Sequence, residues 1–420
     1  MSAIELPLPV RGRYFTRGVK ILAGIAGVGI AIYIYRLLFG IGAATNLNDQ
    51  YPWGLWIAVD VASGVALAAG GFTTAALVEI FHKNKYHALT RPALLTAMLG
   101  YTFVVIGLLA DLGRYYNVWH PMLPSMWQGN SVLFEVGICV MIYLTVLYIE
   151  FAPIAVERFK GRVNLPGKLS FLNRAAESVL SLSGRTLKKT LFLFIIAGVV
   201  LSCLHQSSLG TLMVIAPTKM HPLWYTSISP LLFLLSAIMV GFPMVIFESL
   251  LASRSFKLKP ELKTLLSLAR YIPVFLGIYL AAKVIDLTIR DAWLYLLEFS
   301  THSVIYILEI TLGVVVPMTM LLNDRVRRSV SGLFTAASLV VLGVVANRIN
   351  VFLVAYQPLY AEKPYFPHIM EILVTLGLIA ALVLVYRFIV MNFPVVSVHP
   401  NGHQGHRVRR IDIGRTSEKV

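Results

Sequence analysis

The sequence predicts an all-α, polytopic membrane protein with about ten transmembrane helices. Three observations carry that prediction. The 420 residues are 57% hydrophobic and only 13% charged, whereas soluble domains run at roughly 25% charged. Ten segments reach the roughly 20 apolar residues that a helix rising about 1.5 Å per residue needs to cross a hydrocarbon core about 30 Å thick. The lysines and arginines, finally, concentrate in alternate loops between those segments.

The first segment, 21–39, follows Arg11, Arg13, Arg17 and Lys20 and has no small-residue cleavage site, so it reads as a retained helix rather than a signal peptide. The second, 55–81, carries small residues one helical turn apart at Ala62, Ala66 and Gly70, which let a neighbouring helix approach closely. Segments 92–110 and 131–151 follow. In the fifth, 191–213, the strongly apolar stretch stops at Leu204, and His205, Gln206, Ser207 and Ser208 come next. The remaining five are 228–251, 265–287, 302–322, 330–355 and 369–391. Helices 2–5 and 6–9 read as two four-helix units, parallel repeats about an axis along the membrane normal, flanked by helices 1 and 10. The long connection 152–190 has room for a short amphipathic helix, but Pro166 and Gly167 interrupt it and nothing in it suggests a folded domain. The chain thus divides into a basic N-terminus (1–20), one membrane domain (21–391) and a basic tail (392–420).

The net charge of +16 follows from this layout. The N-terminus, the tail and the connections 82–91, 152–190, 252–264 and 323–329 hold 27 Lys and Arg, and the opposite set of loops holds only Arg114, Lys219, Arg290 and Lys363. The positive-inside rule therefore predicts a multi-pass protein of the inner (cytoplasmic) membrane with both termini in the cytoplasm. Basic charge explained this way calls for no nucleic acid. The outer loops carry interfacial aromatics, as in Tyr51-Pro52-Trp53-Gly54, Trp119-His120-Pro121 and Pro364-Tyr365-Phe366-Pro367.

An ionisable side chain inside a helix costs a few kcal/mol and marks a functional candidate. Asp60 lies about 9 Å into helix 2 from its outer end, with Glu135 about as deep in helix 4. Asp111 and Arg114 close helix 3 on that side, and His205 and Gln206 come near the outer end of helix 5. Helices 2–5 are thus expected to bring polar chemistry to one outer level. The competing readings are an ion pair at i and i+3 for Asp111 and Arg114, and a satisfied packing network for Asp60, Glu135 and His205. Lys283, Asp286, Glu309 and Arg348 in the second half are expected to pair internally. Glu79, Glu150 and Glu248, in the last turns of helices 2, 4 and 6, are placed to receive cytoplasmic protons or, as the favoured reading, to reach toward the lysine-rich loops. Two cysteines, Cys139 and Cys203, both in apolar runs, build neither an iron-sulfur cluster nor a zinc site. No histidine pair sits deep in facing helices, so no haem is expected either. Intramembrane charges and repeats also fit a proton or solute transporter unit, which stays as the alternative, but the charges gather near one face and the helices lack obvious midspan Gly or Pro breaks.

Several runs are recognisable: YPWGLWIAVDVASGVALAAGG, RPALLTAMLGY, DLGRYYN, NSVLFEVGICVMIYLTVLYIEFAP, HQSSLGTLM, HPLW and, late in the chain, FPHIMEILVTLGLI. They resemble the HybB-type membrane subunit of periplasmically oriented nickel-iron hydrogenases, within the wider polysulfide-reductase/NrfD family of quinone-interacting membrane proteins. The likeness runs in order from about Phe39 to Met391. It implies ten helices, no bound haem, and a site for menaquinone or ubiquinone beneath a periplasmic iron-sulfur electron-transfer subunit, in complex with hydrogenase large and small subunits. It also leaves room for other catalytic heads, since family members serve polysulfide, nitrite and molybdopterin enzymes. Reducing a quinone takes two electrons and two protons, so titratable groups must reach its oxygens. Asp60, Glu135 and His205 are the expected hydrogen-bonding and proton-delivering residues. Asp111, Arg114 and Gln206 complete the expected quinone site, Arg114 either balancing Asp111 or stabilising charge on the reduced ring.

Overall fold

A computed structural model describes residues 7–161 and 173–397. Ten helices long and apolar enough to span a membrane run through them: α1 (Arg17–Phe39), α2 (Trp56–Ile80), α3 (Asn84–Asp111), α4 (Val132–Phe159), α5 (Lys189–Val214), α6 (Ser229–Phe256), α7 (Leu262–Ile289), α8 (Thr301–Leu322), α9 (Val330–Val354) and α10 (Ile369–Asn392). Side chains set several of their starts. The hydroxyls of Thr16, Ser131, Ser300 and Ser329 accept from the backbone N–H groups of Val19, Phe134, Ser303 and Gly332, satisfying amides that have no partner in the first turn. The expected spans are matched within a few residues at most ends. Three exceptions extend the helices on the side of the termini. Helix α3 starts at Asn84 rather than at 92. Helix α4 runs on to Phe159, and α5 continues a helix that starts at Asn173, so part of the 152–190 connection is helical. Residues 1–6, 162–172 and 398–420, with Pro166, Gly167 and nearly all of the basic tail, lie outside the described residues.

Helices α2, α3, α4 and α5 pack in a closed ring, each touching the next and α5 returning to α2, and α6 to α9 do the same. The two rings join where α2 meets α6: Gly70 of α2 lies against Val245 and Gly241, and Gly241 against Thr73. The small-residue stripe of α2 thus serves a close helix crossing, with Ala62 and Ala66 fully buried. Helix α10 packs against α1, at Gly29 and Gly377, and against α2 and α3. A Cβ added at Gly377 would come within 2.6 Å of the Gly29 Cα, so only glycine permits that approach. An even number of spans puts the two ends of the membrane domain on one face, where the N-terminal strand-like segment pairs Pro7 with Ser397.

The helices are less regular than their lack of Gly and Pro breaks suggested. Wide π-helical turns occupy Trp56–Ser63 and Ala76–Ile80 of α2, Thr311–Val315 of α8 and Asn350–Val354 of α9. Polar side chains help: the Ser63 hydroxyl bonds back to the Ala58 carbonyl, five residues earlier. Such bulges recur at functional sites, and Asp60 stands inside the first of them.

Candidate functional site

The polar residues gather around α3, on the face opposite the termini. Four helix ends meet there: Arg36 is in the last turn of α1, Asp60 in the first bulge of α2, Asp111 at the end of α3 and Glu371 in the first turn of α10. Arg36 is fully buried; its Nη2 donates to the Leu112 carbonyl (2.6 Å), while Nε and Nη1 have no partner. Glu371, also fully buried, accepts from the backbone N–H groups of Asn46 (3.1 Å) and His368 (2.9 Å) and from the Tyr365 hydroxyl. Outside the spanning segments, burial and this bond push the Tyr365 phenol above its ordinary range. Asp60 accepts from the Thr375 hydroxyl, one turn along α10 (2.5 Å), and its Cβ would lie 2.6 Å from a Cβ at Gly107. Asp111 has one buried carboxylate oxygen with no partner, and its electrostatic neighbours are Glu371, Arg36 and Asp60. Trp56, Ala110, Val374 and Leu378 close the apolar side of this set.

A second set lies on the other flank of α3 and deeper. His205 is buried and pairs through Nδ1 with the Tyr101 hydroxyl (3.1 Å), and Tyr101 meets Tyr143 edge to face. Gln206, fully buried, donates to the Val65 carbonyl of α2 (2.7 Å) while its Oε1 has no partner. Glu135, near the start of α4, is exposed and accepts from the Ser208 hydroxyl of α5.

Three corrections follow. Arg114 is exposed and does not pair with Asp111, because the chain leaves the helix at Leu112, where the backbone turns extended. His205 stands nine residues before the end of α5, roughly 14 Å deep, because that helix stays regular through Gln206–Ser208 to Val214. Consequently Asp60, Glu135 and His205 do not share one level, and Asp60 and Asp111 turn toward α1 and α10 rather than into the ring. Arg36 and Glu371 escaped the sequence reading because an arginine or glutamate at a helix end ordinarily snorkels or caps. A signal was available for Arg36: it closes a helix on the side that the charge bias leaves almost free of basic residues.

In the second ring Glu309 and Asp286 are fully engaged. Glu309 accepts from Asn347 (2.7 Å), Asn350 (2.7 Å) and the Trp224 indole (3.0 Å). A cavity of about 10 Å³, lined in part by Glu309, Tyr279 and Asn347, adjoins it. Asp286 does not pair with Lys283 as expected. Its partners are Arg290, with Nη2 at 2.6 Å, and the Thr226 hydroxyl, at 2.6 Å. Lys283 instead sits over the Tyr306 ring (5.0 Å), and Arg348 stacks on Phe233 (3.7 Å) while donating to Ser236 and Asn347. Among the described residues neither cation makes an ion pair. On the face of the termini, the longer α4 and α6 leave Glu150 and Glu248 more than two turns inside their helices. Glu248 bonds inward to the Tyr386 hydroxyl (2.7 Å) beside a cavity of about 40 Å³ instead of reaching the loops. In the connection between α5 and α6, His221 stacks on His302 with centroids 4.5 Å apart, and burial, helped by that neighbour, lowers it to about 4.

Comparison with known proteins gives this arrangement a family. Residues 43–359 match the family model described as "Polysulphide reductase, NrfD". The chain is 41% identical to a protein of Nitratidesulfovibrio vulgaris over 92% of its own length and 96% of that protein. It is 32% identical to the probable Ni/Fe-hydrogenase 2 b-type cytochrome subunit of Escherichia coli, over 96% of this chain and 99% of that one. A shorter likeness, 30% identical, links 42% of the chain to 38% of the integral membrane subunit of the menaquinone reductase of N. vulgaris. The chain belongs to the NrfD family of membrane subunits, and among its members it is similar to a hydrogenase-associated one.

Proposed function

We propose that this chain anchors a hydrogenase-type complex to the cytoplasmic membrane and passes electrons from a periplasmic iron-sulfur subunit to membrane quinone. The observation that supports this most is the gathering of sparsely partnered polar groups around α3 at the face opposite the termini. The loop-charge bias makes that face the outer one, where an extracytoplasmic electron donor has access. The E. coli relative is named a hydrogenase subunit and the shorter N. vulgaris one a menaquinone reductase subunit. Each name speaks for its own protein; together they favour quinone over a transported solute here.

Within this reading the substrate is quinone, which accepts two electrons and two protons. Asp60 and Asp111 supply protons on the α1/α10 flank of α3. Glu135, exposed at the surface and held by the hydroxyl of the buried Ser208, receives the quinone head from the bilayer. His205 and Gln206, deeper, fix hydrogen-bonding direction. The E. coli relative is named a b-type cytochrome subunit. We infer no haem in this chain, on the donor set: the His205 ring is engaged by Tyr101 and the His221 and His302 rings stack on each other, so neither arrangement opposes two imidazoles across an iron.

Purification of the tagged chain from membranes tests the reading. It should bring down hydrogenase large and small subunits with an iron-sulfur protein, and the preparation should lack the absorption bands of a b-type haem. A different cofactor-bearing head would move the chain to another branch of its family. Stoichiometric haem lost on His205→Ala would make His205 an axial ligand. A reporter after Val420 should be cytoplasmic and one near Trp119 periplasmic; the reverse would put the proposed site on the wrong side.

A further inference from the structure

We propose that Arg387 holds the headgroup of an anionic phospholipid, with an acyl chain lying along α10 beneath it. This half-buried arginine stands five residues before the end of α10, on the face of the termini, which the loop charge makes the inner one. Three parts of the chain meet at it. Its Nη2 donates to the Arg13 carbonyl (2.9 Å), its Nη1 reaches the Ser255 hydroxyl of α6 only at 3.4 Å, and the guanidinium lies over the Phe256 ring (5.0 Å). Nε is buried and has no partner. A guanidinium carries five N–H donors, so the chain leaves most of them unused.

Nor does the chain supply a counter-charge. The segments that meet this arginine, residues 8–20, 249–260 and 372–397, contain no Asp or Glu. They add exposed cations instead, Arg13 and Arg17 on one side and Arg254 and Lys257 on the other. Glu248, further inside α6, is bonded to the Tyr386 hydroxyl (2.7 Å), and Tyr14, which donates to the Leu384 carbonyl, is neutral. Among the described residues Arg387 makes no ion pair. A cation drawn partly out of water without a counter-charge is costly. A phosphate matches the guanidinium fork with two parallel hydrogen bonds, and the inner leaflet is where anionic headgroups are supplied.

The surface below the arginine distinguishes a lipid from a free anion. Leu376, Ile379 and Val383 follow one another at spacings of three and four residues, and Arg387 comes four residues later, so the four share one face of α10. All three apolar residues are exposed, as is Leu251 of α6, one turn before Ser255. A headgroup on Arg387 therefore places its acyl chain against two apolar stripes.

The test uses the purified complex, stripped of lipid in a neutral detergent. Added phosphatidylglycerol should raise its thermal midpoint, and native mass spectrometry should find one such lipid per chain that Arg387→Gln does not retain. Phosphatidylcholine and inorganic phosphate should leave the midpoint where it was. An equal rise with phosphatidylcholine overturns the preference for an anionic headgroup, and an equal rise with inorganic phosphate overturns the lipid. Arg387 also ties the N-terminal segment to α6, so Val383→Glu serves as a second variant. It keeps the arginine and gives it a carboxylate one turn away on the same face, and it should abolish both the midpoint response and the retained lipid. Either variant keeping both in full overturns the proposal.

Discussion

The two four-helix rings place acids in the membrane in contrasting ways. In the second ring every carboxylate oxygen of Glu309 and Asp286 has a donor: Asn347, Asn350 and Trp224 on the former, Arg290 and Thr226 on the latter. Beside the first ring, Asp60 has one donor and Asp111 has a buried oxygen with none. A buried acid held by three donors is a structural joint, because protonating it would break bonds that the fold relies on. A buried acid with empty valences can change its protonation state without dismantling anything. The difference teaches that burial and charge alone do not mark a reactive acid; the count of its donors does.

Substitution sharpens this contrast. The largest effect is expected for Asp60→Asn, which keeps size and removes the exchangeable proton. In the assembled complex it should slow hydrogen-to-quinone electron transfer on the order of a hundredfold or more, the usual contribution of a proton-transfer group. Reduction of a soluble artificial acceptor should survive, since that acceptor draws electrons before they reach this subunit. Glu135→Gln tests the other flank of α3 by the same assay, and an equal loss there would place quinone contacts on both flanks. Glu309→Gln should behave in the opposite way. It confronts the donors of Asn347, Asn350 and Trp224 with an amide, costing on the order of 3 kcal/mol of stability, visible as a lower thermal midpoint, while the quinone rate per folded complex stays near wild type. If Glu309→Gln alone abolishes quinone reduction, the site belongs in the second ring.

Smaller effects probe the supports. Gly377→Leu forces α1 away from α10 at the Gly29 crossing, and overpacking of this kind costs about 1–3 kcal/mol. Because α1 carries Arg36, the quinone rate should fall as well, though less than in Asp60→Asn; an unchanged rate would show that Arg36 is not needed there. The smallest effect concerns His221, which burial and His302 lower from 6.5 to about 4. A histidine held neutral in the folded chain contributes stability above the unfolded value, and that stability declines as pH falls from about 6.5 toward 4. His302→Gln should flatten the fall in thermal midpoint over that window, since it removes the secondary of the two causes.

Much of this was legible in the sequence. Hydropathy and loop charge located ten helices because the bilayer demands long apolar runs whatever the tertiary packing. Asp60 and Asp111 stood out for the same reason, as charges where hydrocarbon is expected. Their partners did not. Arg36 and Glu371 lie at helix ends in the two flanking helices, and only the docking of α10 against α1, α2 and α3 turns those ends inward. The grouping of Asp60, Glu135 and His205 failed in depth at His205, because α5 runs nine residues beyond it, and in direction at Asp60, which faces Thr375 of α10, a docking that position along one helix does not reveal. Lys283 and Arg348 went to aromatic rings, a choice that spacing along one helix cannot reveal.

The central claim is that quinone reacts beside α3 near the face opposite the termini. Photolabelling with an azidoquinone in native membranes, followed by peptide mapping, tests it most directly. The account predicts labels on the peptides containing 56–63, 101–111, 132–143 or 202–208, suppressed by excess quinone. Quinone-protected labels confined to α8 and α9, around Glu309 and Arg348, would contradict it.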